Sequence, residues 1–204
     1  MFEDDFKKAL EAGSLDSSKA NAFFQEILLQ HTHKSRHYHS YQHLESIWQQ
    51  LQPVKPLIQD WPVIICAIAY HDFIYDTKSS SNEEKSAEKA VGKMLDAGFD
   101  QTRANRCYKH IIATKGHNVA EDTDTNFFTD ADLSILGSDA ETYKTYTANI
   151  RKEYRVFPDF MYKPGRKKVL QHFLHLPTIF KTDHFFTMYE EQARRNIKGE
   201  LNSL

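Results

Sequence analysis

Apolar residues recur along this chain at helical intervals, and no stretch alternates apolar with polar positions as a half-buried strand does. Phe2, Phe6 and Leu10 stand at i, i+4 and i+8 and predict a first amphipathic helix closed by Gly13. Asp16 or Ser17 caps a second, with Phe23, Phe24, Ile27 and Leu28 on its inner side. The polar stretch from His31 to His39 has no periodicity and reads as a loop, with His31, His33 and His37 solvated. Ser40 opens a third helix whose apolar face is Leu44, Ile47, Trp48 and Leu51, and Pro53 stops it. Val63 to Ala69 is then almost unbrokenly apolar, so this segment is expected to be buried on most sides, with Pro62 in its first turn.

Beyond it, Asn82 caps a helix with Glu83 and Glu84 in its first turn and a stripe of Ala87, Ala90, Val91, Met94 and Leu95, ended by Gly98. Asp100 or Thr102 begins another, with Cys107, Tyr108, Ile111 and Ile112 inward. Residues 115–126 read as an irregular polar connection, and Phe127 to Leu136 as a short apolar segment closed by Gly137. Ser138 or Asp139 caps a long helix carrying Tyr143, Tyr146, Ile150 and Tyr154. Pro158, Pro164 and Gly165 separate it from a helix near 165–175, and Pro177 precedes a last one with Phe185, Met188, Tyr189 and Ile197. The expectation is an all-α fold of about eight to ten helices, one domain over residues 1–204.

Composition narrows the function. A formal charge of -2 gives no overall footprint for nucleic acid or an anionic membrane, so neither is an expected partner. Cys66 and Cys107 are too few for a disulfide framework, and no apolar run reaches the roughly 18 to 20 residues that span a bilayer. A cytoplasmic, reduced protein is expected. The eleven histidines change the picture, because several are clustered.

His71 and Asp72 follow directly on the apolar run, and a carboxylate beside a core costs several kcal/mol unless a cation compensates it. A neighbouring imidazole makes a metal the natural compensation, although a satisfied core histidine beside a turn aspartate has the same local sequence. His39 and His43 are four apart and share a face if both are helical; a solvent-exposed pair has the same spacing. Asp130 and Asp132 sit among apolar residues, and a helix cap suits Asp130 at least as well as Asp132. Arg36 and Lys115 are candidate phosphate clamps beside these segments, and Glu83 and Glu84 are candidate acceptors for a ligating histidine, if they do more than decorate a helix start. Seven basic residues between Arg151 and Lys168, against Glu153 and Asp159, fit either a polyanion or a solvated face.

In the order Tyr-His-x3-His, His-Asp, Asp-Leu-Ser, the chain resembles the HD superfamily of metal-dependent phosphohydrolases. It is most similar to a bacterial family of HD phosphohydrolases running Arg-His-Tyr-His, His-Asp and Asp-Ala-Asp-Leu, as at Arg36–His39, His71–Asp72 and Asp130–Leu133 here. The likeness extends through Asn82–Ala87, His110–His117 and Glu191–Asn196, and so over essentially the whole chain. The first and last strings are also similar to those of cyclic-nucleotide phosphodiesterases, where Asn commonly follows the first histidine; Ser40 stands there in this chain. The resemblance implies an all-α HD bundle in which His43, His71, Asp72 and Asp132 ligate a divalent metal and His39 handles a proton. Two imidazoles and two carboxylates suit Mn, Fe, Co, Ni or Zn, with Mg also admissible. By the same resemblance His110 and His117 could complete a second metal site of the binuclear kind; equally, His110 packs on a helix and His117 is a solvated loop residue. The implied activity is hydrolysis of a phosphoester or phosphoanhydride of a small substrate, a nucleotide above all, with Asp72 orienting the attacking water. A di-iron oxygenase and a catalytically silent binding module are the alternatives.

Overall fold

The computed structural model describes every residue from Met1 to Leu204. It contains ten α-helices and no strand, as the periodicity predicts. The chain divides into two compact units, Met1–Thr129 and Asp130–Leu204.

The first unit holds α1 (Phe2–Ala12), α2 (Ser17–His31), α3 (Tyr41–Leu51), α4 (Trp61–Tyr70), α5 (Asn82–Asp96), α6 (Gln101–Ala113) and the start of α7 (Thr123–Leu133). Its centre is α4, which touches α1, α3, α5 and α6 and is fully buried from Val63 to Tyr70. Each large apolar side chain so buried stabilises the fold by about 1.5–3 kcal/mol. Cys66 and Cys107 are both buried and reduced, and burial pushes the Cys66 thiol up to about 12.

The N-terminal end of α4 is pinned. Asp60 caps it by accepting from the Val63 N–H, while Arg103 of α6 donates twice to the same carboxylate, at 2.8 and 2.6 Å. Behind it, the buried Asp124 accepts from the backbone N–H groups of Gln59 and Asp60 and pairs with Arg106. Asp124 lies where the sequence reads as an irregular connection; helix α7 starts there, earlier than its apolar residues suggest. The turn after α5 depends on Gly98, whose φ is +86° and where an added Cβ would stand 2.0 Å from the Gly13 carbonyl oxygen. Gly98→Ala is therefore expected to destabilise the protein by about 1–3 kcal/mol from backbone strain alone, read as a lower urea midpoint.

The second unit comprises the last turn of α7, a 3₁₀ turn over Ser134–Gly137, α8 (Ala140–Glu153), α9 (Asp159–His175) and α10 (Asp183–Ser203). Three buried carboxylates organise it. Asp130 accepts from the backbone N–H groups of Lys181 and Thr182 and pairs with the Lys181 ammonium at 3.1 Å. Glu190 accepts from the N–H groups of Ile179 and Phe180 and pairs with Arg194. Glu200 forks onto Arg166 and accepts from the Tyr143 hydroxyl.

Three expectations need correction. Pro164 does not delay α9 to 165; the helix begins at Asp159 and carries Pro164 inside it. The proline leaves the Phe160 carbonyl without its i+4 donor, and Phe160 is 77% exposed, so water can take that place. The α5 cap is Ser81 rather than Asn82, whose side chain instead exchanges hydrogen bonds with the Asp76 backbone. His31 is not a solvated loop residue: it ends α2, fully buried, with Nδ1 2.9 Å from the Ile27 carbonyl oxygen.

Candidate metal centre

The site within the first unit is built where the C-terminal end of α4 meets the N-terminal end of α3. His71 is the C-cap of α4 and Asp72 follows in the turn. His43 lies in the first turn of α3, buried, while His39 precedes the N-cap Ser40, whose backbone is extended. The helical premise for the His39–His43 pair therefore fails, yet their rings remain neighbours, with centroids 5.7 Å apart.

The donor atoms converge. His71 Nε2 stands 3.2 Å from His43 Nε2 and 3.0 Å from Asp72 Oδ2; His43 Nε2 is 3.7 Å from the same oxygen and His39 Nε2 4.0 Å. A first-row cation about 2.0–2.2 Å from each donor spaces neighbouring donors about 2.9–3.5 Å apart. Two of the three edges among His43, His71 and Asp72 match that spacing, and the third exceeds it by a few tenths of an ångström.

The tautomer is also right for ligation. His71 Nδ1 is 3.0 Å from the Ile68 carbonyl oxygen, which can only accept, so Nδ1 carries the proton. In the neutral ring Nε2 is then a bare lone pair facing another imidazole and a carboxylate. Such a gathering of electron pairs calls for a proton or a cation in its midst. Burial by itself pushes the Asp72 carboxyl up, but the adjacent His71, then His39 and His43, overcome this and hold it well below the ordinary range.

His39, half-buried, is the outer member of the group. Its ring lies between Tyr75, at 4.4 Å, and Tyr38, met edge-on at 4.9 Å. Neither tyrosine is signalled by donor spacing; only their place beside the two histidine motifs points to them. Arg36 donates to the carbonyl oxygens of His39 and Phe73 and lies over Tyr75, so its guanidinium straps the loop to the turn after α4.

The remaining candidates are placed as follows. Lys115 donates to Glu84 and to the Ser80 carbonyl, with Glu83 3.9 Å away, so these charges engage one another at the start of α5. His110 is fully buried on α6, with Nδ1 2.7 Å from the Thr125 hydroxyl. His117 is half-buried at a backbone φ of +51°. Asp132 lies on the last turn of α7, beyond the division between the two units.

Burial is the main cause that lowers the His31 imidazole to about 3 and that of His110 to about 4. In the unfolded chain both protonate near 6.5. Below that pH the unfolded state binds more protons, so metal-free protein is expected to lose stability as pH falls from about 6.5 towards 4. A urea midpoint that did not fall between neutral pH and pH 5 would contradict their neutral burial.

No protein-family model matches the chain, and no curated protein or solved structure matches it.

Proposed function

We propose that this chain is a metal-dependent phosphohydrolase acting on a phosphoester or phosphoanhydride of a small molecule, with nucleotides the favoured class. The reading rests on one observation: the convergence of His43 Nε2, His71 Nε2 and Asp72 Oδ2, with His71 Nδ1 committed to a backbone carbonyl. His43, His71, Asp72 and Asp132 are the proposed ligands of one divalent cation. Asp132 is supported by the continuity of α7. Phe128, whose ring meets His71 edge-on at 5.7 Å, is four residues before it and on the same helical face.

A mixed imidazole–carboxylate set suits Mn, Fe, Co, Ni or Zn, with Mg also admissible. When bound, the cation supplies positive charge against a phosphoryl group and acidity towards water. Asp72 accepts a hydrogen bond from the attacking water and aims it. His39, held by the two tyrosine rings, delivers a proton from its imidazole to the leaving oxygen.

The test is a panel of phosphomonoesters, phosphodiesters and nucleotides, assayed on protein reconstituted separately with each metal beside elemental analysis. Turnover of at least one class, abolished by chelation, is expected. Fully loaded protein inert across the panel would sink the proposal. Two irons per chain with a mixed-valence signal would favour the oxygenase, which needs His110 and His117 around a second ion. His39→Ala is expected to keep the metal and lose about 10²–10⁴ in turnover. Loss of metal as well would make His39 a ligand, and an unchanged rate would remove it from the chemistry; a silent binding module predicts no turnover at all and a His39→Ala variant altered only in local packing.

A further inference from the structure

In the second unit, the turn before α9 and the first turns of that helix expose an apolar tip. Phe160 is 77% exposed, Met161 52% and Val156 51%, with Pro158 and Pro164 also at the surface. Cations surround it. Lys152 and Arg155 precede the tip, and Lys163, Lys167 and Lys168 follow it along α9.

Of the seven basic residues in this stretch, two are neutralised, Arg151 by Asp159 and Arg166 by Glu200. The other five form no ion pair. Helical spacing puts Phe160, Pro164, Lys167, Lys168 and Gln171 on one outward face, opposite the buried Arg166, Leu170 and Phe173.

We infer that this tip is a docking surface for an anionic phospholipid bilayer, on which α9 lies with Phe160, Met161 and Val156 inserted and the five cations at the headgroups. The charges are complementary to acidic lipid, and the apolar tip provides the second of the two signals that stable peripheral binding requires. Single-stranded RNA would satisfy the same cations, but it would engage the tip by stacking, and Phe160 is the one aromatic face among Val156, Met161 and the prolines. No helix of the chain is long and apolar enough to cross a membrane, so contact of this kind is peripheral. It departs from the expectation of no membrane partner because a near-neutral total charge conceals a local excess.

The test is co-sedimentation of the full-length protein with vesicles of phosphatidylcholine alone and of phosphatidylcholine with phosphatidylserine, beside a single-stranded RNA titration. Binding to the acidic vesicles only, weakened by salt, is expected. Lys163→Gln, Lys167→Gln and Lys168→Gln together should weaken it by about a hundredfold, at about fivefold for each cation removed. Phe160→Ser should weaken it without changing the salt dependence. Phe160, Lys167 and Lys168 are exposed and Lys163 is half-buried, and far-ultraviolet circular dichroism should report an unchanged fold. No binding to acidic vesicles, binding indifferent to Phe160→Ser, or tighter binding to RNA than to vesicles would each overturn the proposal.

Discussion

If the proposed site binds a divalent cation, replacing His71 or Asp72 by alanine is expected to abolish that binding. His71 is the hub of the cluster, since its Nε2 is within 3.2 Å of both His43 Nε2 and Asp72 Oδ2. Removing it deletes one donor and leaves the others spaced 3.7 Å apart with nothing between them. Removing Asp72 deletes the negative charge that makes a divalent ion preferable to a proton among neutral imidazoles. Disturbing a ligand's supporting hydrogen bond commonly costs 10- to 100-fold in metal affinity, so losing the ligand itself should cost about 100-fold or more. Elemental analysis after dialysis, with calorimetric titration of the metal-free variants, reads this directly. Wild-type metal content in either variant would mean that the cluster is a hydrogen-bonded core histidine and a turn aspartate.

Asp130→Ala and Asp132→Ala should fail in opposite ways, although the two residues are neighbours with the same side chain. Asp130 is fully buried, and its carboxylate neutralises the Lys181 ammonium and takes the N–H groups of Lys181 and Thr182 at the start of α10. Its loss leaves a buried cation and backbone donors unpaired, which costs about 3–5 kcal/mol. Burial already lowers the Lys181 ammonium and Asp130 props it up, so the lysine can shed its proton in the variant and hold the cost near the lower figure. Lys181→Met in the same background should restore part of the stability. Asp132→Ala is expected to lower metal affinity while changing unfolding free energy by less than about 1 kcal/mol. Denaturation and metal titration on both variants decide the matter. Intact stability with lost metal in Asp130→Ala would exchange the two roles.

The helices were legible from the order of residues because an amphipathic period is local. Phe2, Phe6 and Leu10, or Leu44, Ile47 and Leu51, must face one way whatever lies opposite. Val63 to Ala69 has no polar face to give to water, so burial of α4 follows from composition alone. The caps Asp16, Asp100 and Asp139 were legible to within one alternative each (Ser17, Thr102 and Ser138), since each bonds within its own first turn. Donor types were equally open to reading, down to an imidazole and a carboxylate set against an apolar run.

Hydrogen-bond partners were not legible, because they come from distant parts of the chain. Nothing near Asp124 announces that it binds the backbone of Gln59 and Asp60, and nothing near Arg36 that it straps His39 to Phe73. His31 reads as a loop residue until α2 is seen to continue through it into the core. Pro164 reads as a helix breaker until the carbonyl it orphans is seen to belong to an exposed residue. Sequence by itself determined which segments coil, which one is buried and which side chains could bind a cation. Folding alone decided which of them meet, which ring nitrogen faces inward and which aspartate is taken up in capping a helix, because those depend on packing between segments rather than on periodicity within one.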